Sequence, residues 1–167
     1  MSKIALSGML PEEITEALSL SQKFRGAQIF KWIGSGAVSF EQMTNLSKDV
    51  REELAQKAVI RSSRVAQTLK DPDGTIKLQI ELADNSAVET VLLTDKEGRK
   101  TACVSCQVGC GMKCAFCQTG RLGFLRNLTA GEIVEQFLFL EEECGKLDNI
   151  VFMGMGEPMP MKTMLSS

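Results

Sequence analysis

The sequence contains no histidine, which excludes the common mixed cysteine–histidine zinc sites. No run of it approaches the ~18 consecutive apolar residues that a membrane span needs. Its first residues, MSKIALSGMLPEEI, lack the long apolar core of a signal peptide, so the expected location is the cytoplasm. Neither sign of charge dominates: 19 Lys and Arg stand against 21 Asp and Glu, a net charge of −2. Composition alone therefore gives little support to nucleic-acid binding. The imbalance that exists is local, with ten basic against seven acidic residues over 1–70 and two against seven over 129–167. A hydrophobic content of 44% over 167 residues fits one globular domain or two small ones and is too high for disorder.

What the chain does have is cysteine. Six cysteines in a reducing compartment read as metal or catalytic thiols rather than a disulfide framework. Five of them fall in one stretch, Cys103 to Cys117, CVSCQVGCGMKCAFC. Cys110, Cys114 and Cys117 form a C-x3-C-x2-C run, with no fourth thiol following at ligand spacing. A cubane [4Fe–4S] cluster takes one thiolate per iron when saturated. Three thiolates from one loop leave one iron open to a substrate or cofactor. A structural zinc site would want four ligands. Glycines at 109, 111, 120 and 123 make the stretch a loop, not a place where inert core cysteines cluster. A metal or cluster site is therefore expected, with zinc as the alternative to iron.

Around this loop the pattern changes along the chain. Residues 11–19, Arg25 to Ile33, and a stretch from Ser47 to about Val59 read as three short helices. Pro11 suits the first turn of one and Ser47 the cap of another, and Ile29, Phe30 and Ile33 should share one side. From Arg64 the period becomes two. Val65–Leu69, Thr75–Leu82 and Ala87–Leu93 read as an antiparallel meander, with turns at Asp71–Gly74 and Ala83–Ser86. Thr101–Ser105 is expected to begin a new sheet whose strand end delivers the cysteine loop. Thr129-Ala-Gly-Glu132 is a capping box opening a helix to about Cys144, with Ile133, Phe137, Leu140 and Cys144 on one stripe and Gly145 as its stop. Glu141, Glu142 and Glu143 sit unfavourably at the negative end of that helix. Asn149–Met153 should be a short buried strand, closing one βαβ unit of a parallel sheet.

Two further sites follow from the residues. Glu89, placed with Val91 and Leu93, would be a carboxylate among apolar neighbours and so a candidate acid or base, against the plainer reading of a strand-end salt bridge. Gly154-Met-Gly-Glu-Pro158 follows a strand; its glycines would admit a ligand close to the backbone, and Glu157 could bond an amino acid's ammonium. A tight turn is the bland alternative.

The C-x3-C-x2-C run with Phe116 before its last cysteine resembles the signature of radical S-adenosylmethionine (radical SAM) enzymes. The wider string from Cys103 to Gly120 and Gly123 to Thr129 is similar to the RlmN/Cfr-type ribosomal RNA adenine methyltransferases. So are Phe24-Arg25 to Trp32, Met43-Thr-Asn-Leu-Ser47, Glu89-Thr-Val and Gly154 to Pro158. The resemblance implies an α/β fold of three parts. These are a helical RNA-contacting domain over 1–62, a β meander over 63–100, and over 101–167 the truncated start, about two strands, of a radical SAM partial (βα)6 barrel. It implies Cys110, Cys114 and Cys117 as ligands of a [4Fe–4S] cluster, and Phe116, Gly156 and Glu157 as contacts of S-adenosylmethionine (SAM). Glu89 becomes a proton acceptor, and Cys103 the thiol that releases a protein–RNA adduct by forming a disulfide.

The implied activity is methylation of adenine C2 in 23S ribosomal RNA through a methyl-cysteine intermediate, with transfer RNA as a second substrate left open. An electron donor such as flavodoxin and a monomeric state are also implied. Lys23, Arg25, Lys31, Arg61 and Arg64 are the candidates for gripping RNA. Relatives continue for about as long again, so the methyl-carrying cysteine is not among these residues. The 167-residue chain is expected to be an incomplete fragment, inactive alone and with an open sheet edge. Cys106 and Cys144 receive no catalytic role. A zinc-stabilised module or a non-catalytic RNA-binding fragment is the alternative.

Overall fold

The computed structural model describes residues 3–158. The chain opens with β1 (Ile4–Ala5), followed by α1 (Pro11–Ala17), α2 (Phe24–Gly34), a single 3-10 turn at Phe40–Gln42, α3 (Lys48–Lys57) and β2 (Ala58–Val59). The three expected helices form for the expected reasons. Pro11 opens α1 with Glu12 and Glu13 at its positive end. α2 buries Ile29 and Ile33, although Phe30 turns out to be exposed. Ser47 occupies the cap position of α3 without a capping hydrogen bond from its side chain. Ile14, Ile29, Met43 and Leu54 form the centre of this region's core, and β1 and β2 close it as a short parallel pair.

The second region contains β3 (Arg64–Lys70), β4 (Ile76–Glu81), β5 (Ala87–Thr94), β6 (Lys100–Cys103), β7 (Gln107–Gly109), α4 (Gln118–Leu122), β8 (Phe124–Asn127), α5 (Ala130–Cys144) and β9 (Asn149–Val151). Five of these strands make one sheet in the order β3-β4-β5-β6-β9. The meander is antiparallel, and β6 and β9 run parallel with α5 as the crossover, the expected βαβ unit. The architecture is mixed α/β.

Two expectations fail. No new sheet begins at Thr101, because β6 pairs antiparallel with β5, Ala102 opposite Leu92. A tight turn, in which Gly98 N donates to Asp95 O at 3.0 Å, sends the chain straight back alongside β5. Nor is β9 buried: among the described residues it forms the edge of the sheet, Ile150 is 48% exposed, and its ladder ends at Val151.

α5 belongs to both regions. Leu138 packs into the helical core, while Phe139 and Leu140 pack under the sheet with Leu78, Val88 and Leu92. Phe137, expected on one stripe with Ile133, Leu140 and Cys144, packs against the helical core, while those three pack under the sheet. Thr129 caps α5 in a full capping box with Glu132, and Gly145 ends it at φ 77°. Two of the three glutamates at its C-terminal end have cationic neighbours: Glu142 pairs with Arg61 at 2.8 Å and Glu143 with Lys70 at 2.7 Å. Arg61 is thereby removed from the RNA-facing candidates. Its side chain is only 9% exposed, with its guanidinium over the Phe139 ring at 4.6 Å.

The joint between the regions is polar. Glu135, fully buried on α5, accepts from the backbone N–H of Ser62 at 2.8 Å and of Ser63 at 2.9 Å. It also accepts from the hydroxyls of Ser7, Ser62 and Ser63. One turn earlier, a Cβ on Gly131 would lie 2.6 Å from the Ser7 carbonyl oxygen, so only glycine allows this approach.

Candidate cluster and cofactor site

The strands β6 and β9 end side by side, and the segments that follow them are zipped together. Val104 N donates to Val151 O at 2.9 Å, and Gly154 N donates to Val104 O at 3.1 Å. Cys106 N and Gln107 N both donate to Met155 O, at 2.9 and 3.1 Å. Glu157 N donates to Gln107 Oε1 at 3.3 Å. The Gly-Met-Gly-Glu segment and the start of the cysteine stretch are thus one structural unit at the strands' C-terminal ends, where α/β sheets gather their ligands.

The glycines of that segment also have a packing role. A Cβ on Gly156, whose φ is +99°, would lie 2.5 Å from Gln107 Cβ, and one on Gly154 would lie 2.7 Å from Ser105 Oγ. They allow this backbone to press against the Val104–Gln107 stretch.

β7 and β8 form a hairpin that carries the cysteine loop between them. Cys110 N donates to Gly123 O at 2.9 Å at its neck, and Cys117 N donates to Cys114 O at 3.1 Å within it. Cys117 precedes the first turn of α4. The Gly120 amide, with that of Thr119, holds its thiol below the ordinary range. Cys110 is buried, Cys114 exposed and Cys117 half-buried. Cys106 is buried as well; burial, then the Glu157 carboxylate, then Cys110 push its thiol up. Through its bond to Gln107, Glu157 is held against the chain three residues before the first cysteine of the run. Phe116 projects almost wholly into solvent, 94% exposed.

The donor set fits an iron–sulfur cluster in kind and number: three thiols and no histidine in a glycine-rich loop closed at its neck. Among the described residues the thiols share the loop but are not drawn into one coordination shell. All six cysteines are free thiols.

Glu89 and Cys103 lie on one face of the sheet, the face away from α5. Cys103 stands opposite Val91 on β5 and Val151 on β9, and Glu89 is two residues from Val91. The buried face of β5 is the other one, Val88, Thr90 and Leu92. Glu89 is thus not enclosed by apolar side chains: it is 51% exposed and pairs with Lys77 at 3.3 Å. Burial raises the Cys103 thiol above its ordinary value, and the Met153 backbone amide offsets part of this.

Three buried polar residues of the site escaped the sequence reading: Ser105, Gln107 and Gln136. Gln107 braces Glu157 as above and donates to Asn127 Oδ1 at 3.0 Å. The signal available for Gln136 was its place, with Glu135, inside the otherwise apolar run IVEQFLFL.

Comparison with known proteins gives a consistent result. Residues 12–60 match the family described as the ribosomal RNA large subunit methyltransferase N-terminal domain. A probable dual-specificity RNA methyltransferase RlmN of Treponema pallidum is 61% identical over 155 residues, 93% of this chain and 46% of the relative. One from Treponema denticola is 66% identical over 157 residues, 94% of this chain and 45% of the relative. The crystal structure of a radical SAM methyltransferase from Sphaerobacter thermophilus superposes with a TM-score of 0.84 at 38% identity, covering 97% of this chain and 50% of that one. The chain spans about half the length of the curated relatives it matches.

Proposed function

We infer that this chain, whose sequence and fold are those of the N-terminal half of RlmN-type radical SAM methyltransferases, carries the cluster-binding and RNA-gripping part of an enzyme that methylates adenine C2 in 23S ribosomal RNA. Transfer RNA is a second candidate substrate. The observation that carries this reading is the joining of the cysteine stretch to the Gly-Met-Gly-Glu segment through the Met155 carbonyl. It sets Glu157, able to take an amino acid's ammonium, beside the cysteine loop.

In this reading Cys110, Cys114 and Cys117 hold a [4Fe–4S] cluster. The cluster, reduced by a flavodoxin-like donor, supplies the electron that cleaves SAM. Gly156 and Glu157 bind the methionine part of SAM, and Phe116, exposed beside Cys117, lies against it. Glu89 accepts a proton on the open face of the sheet. Cys103 on that same face attacks the sulfur of the protein–RNA adduct: an S–S bond to the methyl-carrying cysteine forms, and the sulfur–carbon bond to the RNA breaks with its electron pair going to the carbon, which takes up a proton and leaves as the methyl group; these residues do not supply that second cysteine. Lys23, Arg25 and Lys31, on and beside α2, face the RNA phosphates. By the same reading the 167 residues alone bind the cluster and do not methylate RNA.

The test is anaerobic reconstitution followed by iron, sulfide and zinc analysis. Close to four irons and four sulfides per chain, lost on C114S or C117S substitution, support the reading. Bound zinc without sulfide supports a zinc-stabilised module instead. Methyladenine formed by the 167 residues alone would overturn the division of labour.

A further inference from the structure

At Ser105 three elements of the candidate site meet. Ser105 is fully buried and lies just beyond Cys103, where β6 ends. Its hydroxyl donates to the Glu89 carbonyl oxygen at 2.6 Å and accepts from the Met155 backbone N–H at 2.8 Å. A single hydroxyl thus joins β5 to the segment after β9, across a position where no backbone ladder runs.

Ser105 is itself held from below. Gln136, fully buried on α5, accepts from Ser105 N at 2.8 Å through Oε1 and donates to Ser105 O at 2.9 Å through Nε2. It reads both backbone groups of one residue, as a neighbouring strand would. Its remaining amide hydrogen goes to the Glu132 carbonyl at 3.2 Å, so the network is fully satisfied.

We propose that Ser105, clamped by Gln136, is a positioning residue of this site: its hydroxyl fixes the Met155–Glu157 segment against the Glu89 strand. The role is set by geometry. Met155 N bonds to Ser105 Oγ while Met155 O receives Cys106 N and Gln107 N. Releasing the amide end lets the peptide that leads to Gly156 and Glu157 pivot about its carbonyl end. The proposal rests on the reading that Gly156 and Glu157 hold the methionine part of SAM.

The experiment compares the wild-type chain, S105A, Q136E and E135Q. S105A removes the hydroxyl and leaves the backbone unchanged. Q136E keeps the acceptor for Ser105 N and places a carboxylate oxygen against Ser105 O. E135Q weakens the same helix's hold on the helical region without touching Ser105, and so controls for general loss of stability. Two quantities are read: amide hydrogen exchange at Met155 and Glu157, and the affinity of anaerobically reconstituted protein for SAM by equilibrium dialysis.

In S105A and Q136E the Met155 amide should exchange about tenfold faster, with Leu140 still protected, and the Kd for SAM should rise by about fivefold to tenfold. E135Q should leave both near wild type. Unchanged Met155 exchange and a SAM Kd within twofold of wild type in S105A would overturn the proposal. So would an equal loss of SAM affinity in E135Q. If S105A fails to fold, Q136E decides by the same measures. Should the wild-type chain itself fail to bind SAM, the proposed function fails for this chain, and exchange at Met155 alone decides whether Ser105 fixes the segment.

Discussion

Replacing Glu135 by alanine should loosen the helical region from the sheet region. The carboxylate is fully buried and receives two backbone N–H groups and three serine hydroxyls. The hydroxyls can rotate to other acceptors or to water that fills the truncated side chain's volume; the Ser62 and Ser63 amides are fixed in direction. A hydrogen bond to a charged group contributes roughly 1.5–3 kcal/mol, and a donor left without a partner costs a similar amount. Both amides are only partly buried, so water recovers some of this. A loss of about 2–4 kcal/mol is expected, a large share of the ~5–15 kcal/mol that holds an ordinary domain folded. E135Q keeps the shape and the acceptor that faces Ser7 and Ser62, but it turns an NH2 toward Ser63, and about half the loss is expected.

The assay is urea unfolding followed in parallel by far-ultraviolet circular dichroism and by fluorescence of Trp32, the sole tryptophan, which sits in the helical region with its Nε1 donating to Asn45 at 2.7 Å. The two signals should coincide in the wild type and separate in E135A. An E135A protein within about 0.5 kcal/mol of wild type, with coincident transitions, would refute the argument that this carboxylate joins the regions.

Arg126 yields a pH prediction. It pairs with Asp84 at 2.7 Å and with Glu132 at 2.8 Å. Hydrogen bonds from Arg126 and Ser86 hold Asp84 far below its ordinary value. Burial pushes Glu132 upward, but Arg126 and Thr129 together bring it below the ordinary range. Both folded-state values are depressed, so their stabilisation is present above the unfolded values near 3.8 and 4.5 and is lost as pH falls through the folded ones. R126M should therefore destabilise most at neutral pH and move the acid-unfolding midpoint upward; equal losses at pH 7 and near pH 3 in urea titrations would contradict this. G156A must accept a positive φ and a Cβ 2.5 Å from Gln107 Cβ, and should cost about 1–3 kcal/mol; an unchanged melting temperature would show that the segment sits elsewhere. E89Q breaks only an exposed pair with Lys77 and should alter stability by less than about 0.5 kcal/mol, so any loss of methylation in the whole enzyme would then be chemical, while a large drop in melting temperature would make Glu89 structural.

What the sequence disclosed and what it hid follow from the range of the interactions. Helix caps, the meander's turns and the cysteine spacing are local signals, and Thr129 with Glu132, or Cys110 with Cys117, can be read within a few residues. The pairs β1–β2 and β7–β8 are two to four residues long, too short for any period to show. Glu89 was assigned to an enclosed apolar face because Val91 and Leu93 share its parity. Yet Val88 and Leu92 are apolar too, and only the docking of α5 decides which face is covered. Glu135 meets Ser7 across 128 positions and Gln136 meets Ser105 across 31, so no spacing rule reports them. Thiolate donors must come close together and tend to be encoded together. The groups that aim such a site need only be rigid, and a chain can draw them from any element that packs against it. A buried Glu-Gln pair in an apolar helix is the trace such groups leave: burying either side chain without partners would cost more than the helix gains from packing. Partners therefore had to exist on both sides of α5, and both sides supply them.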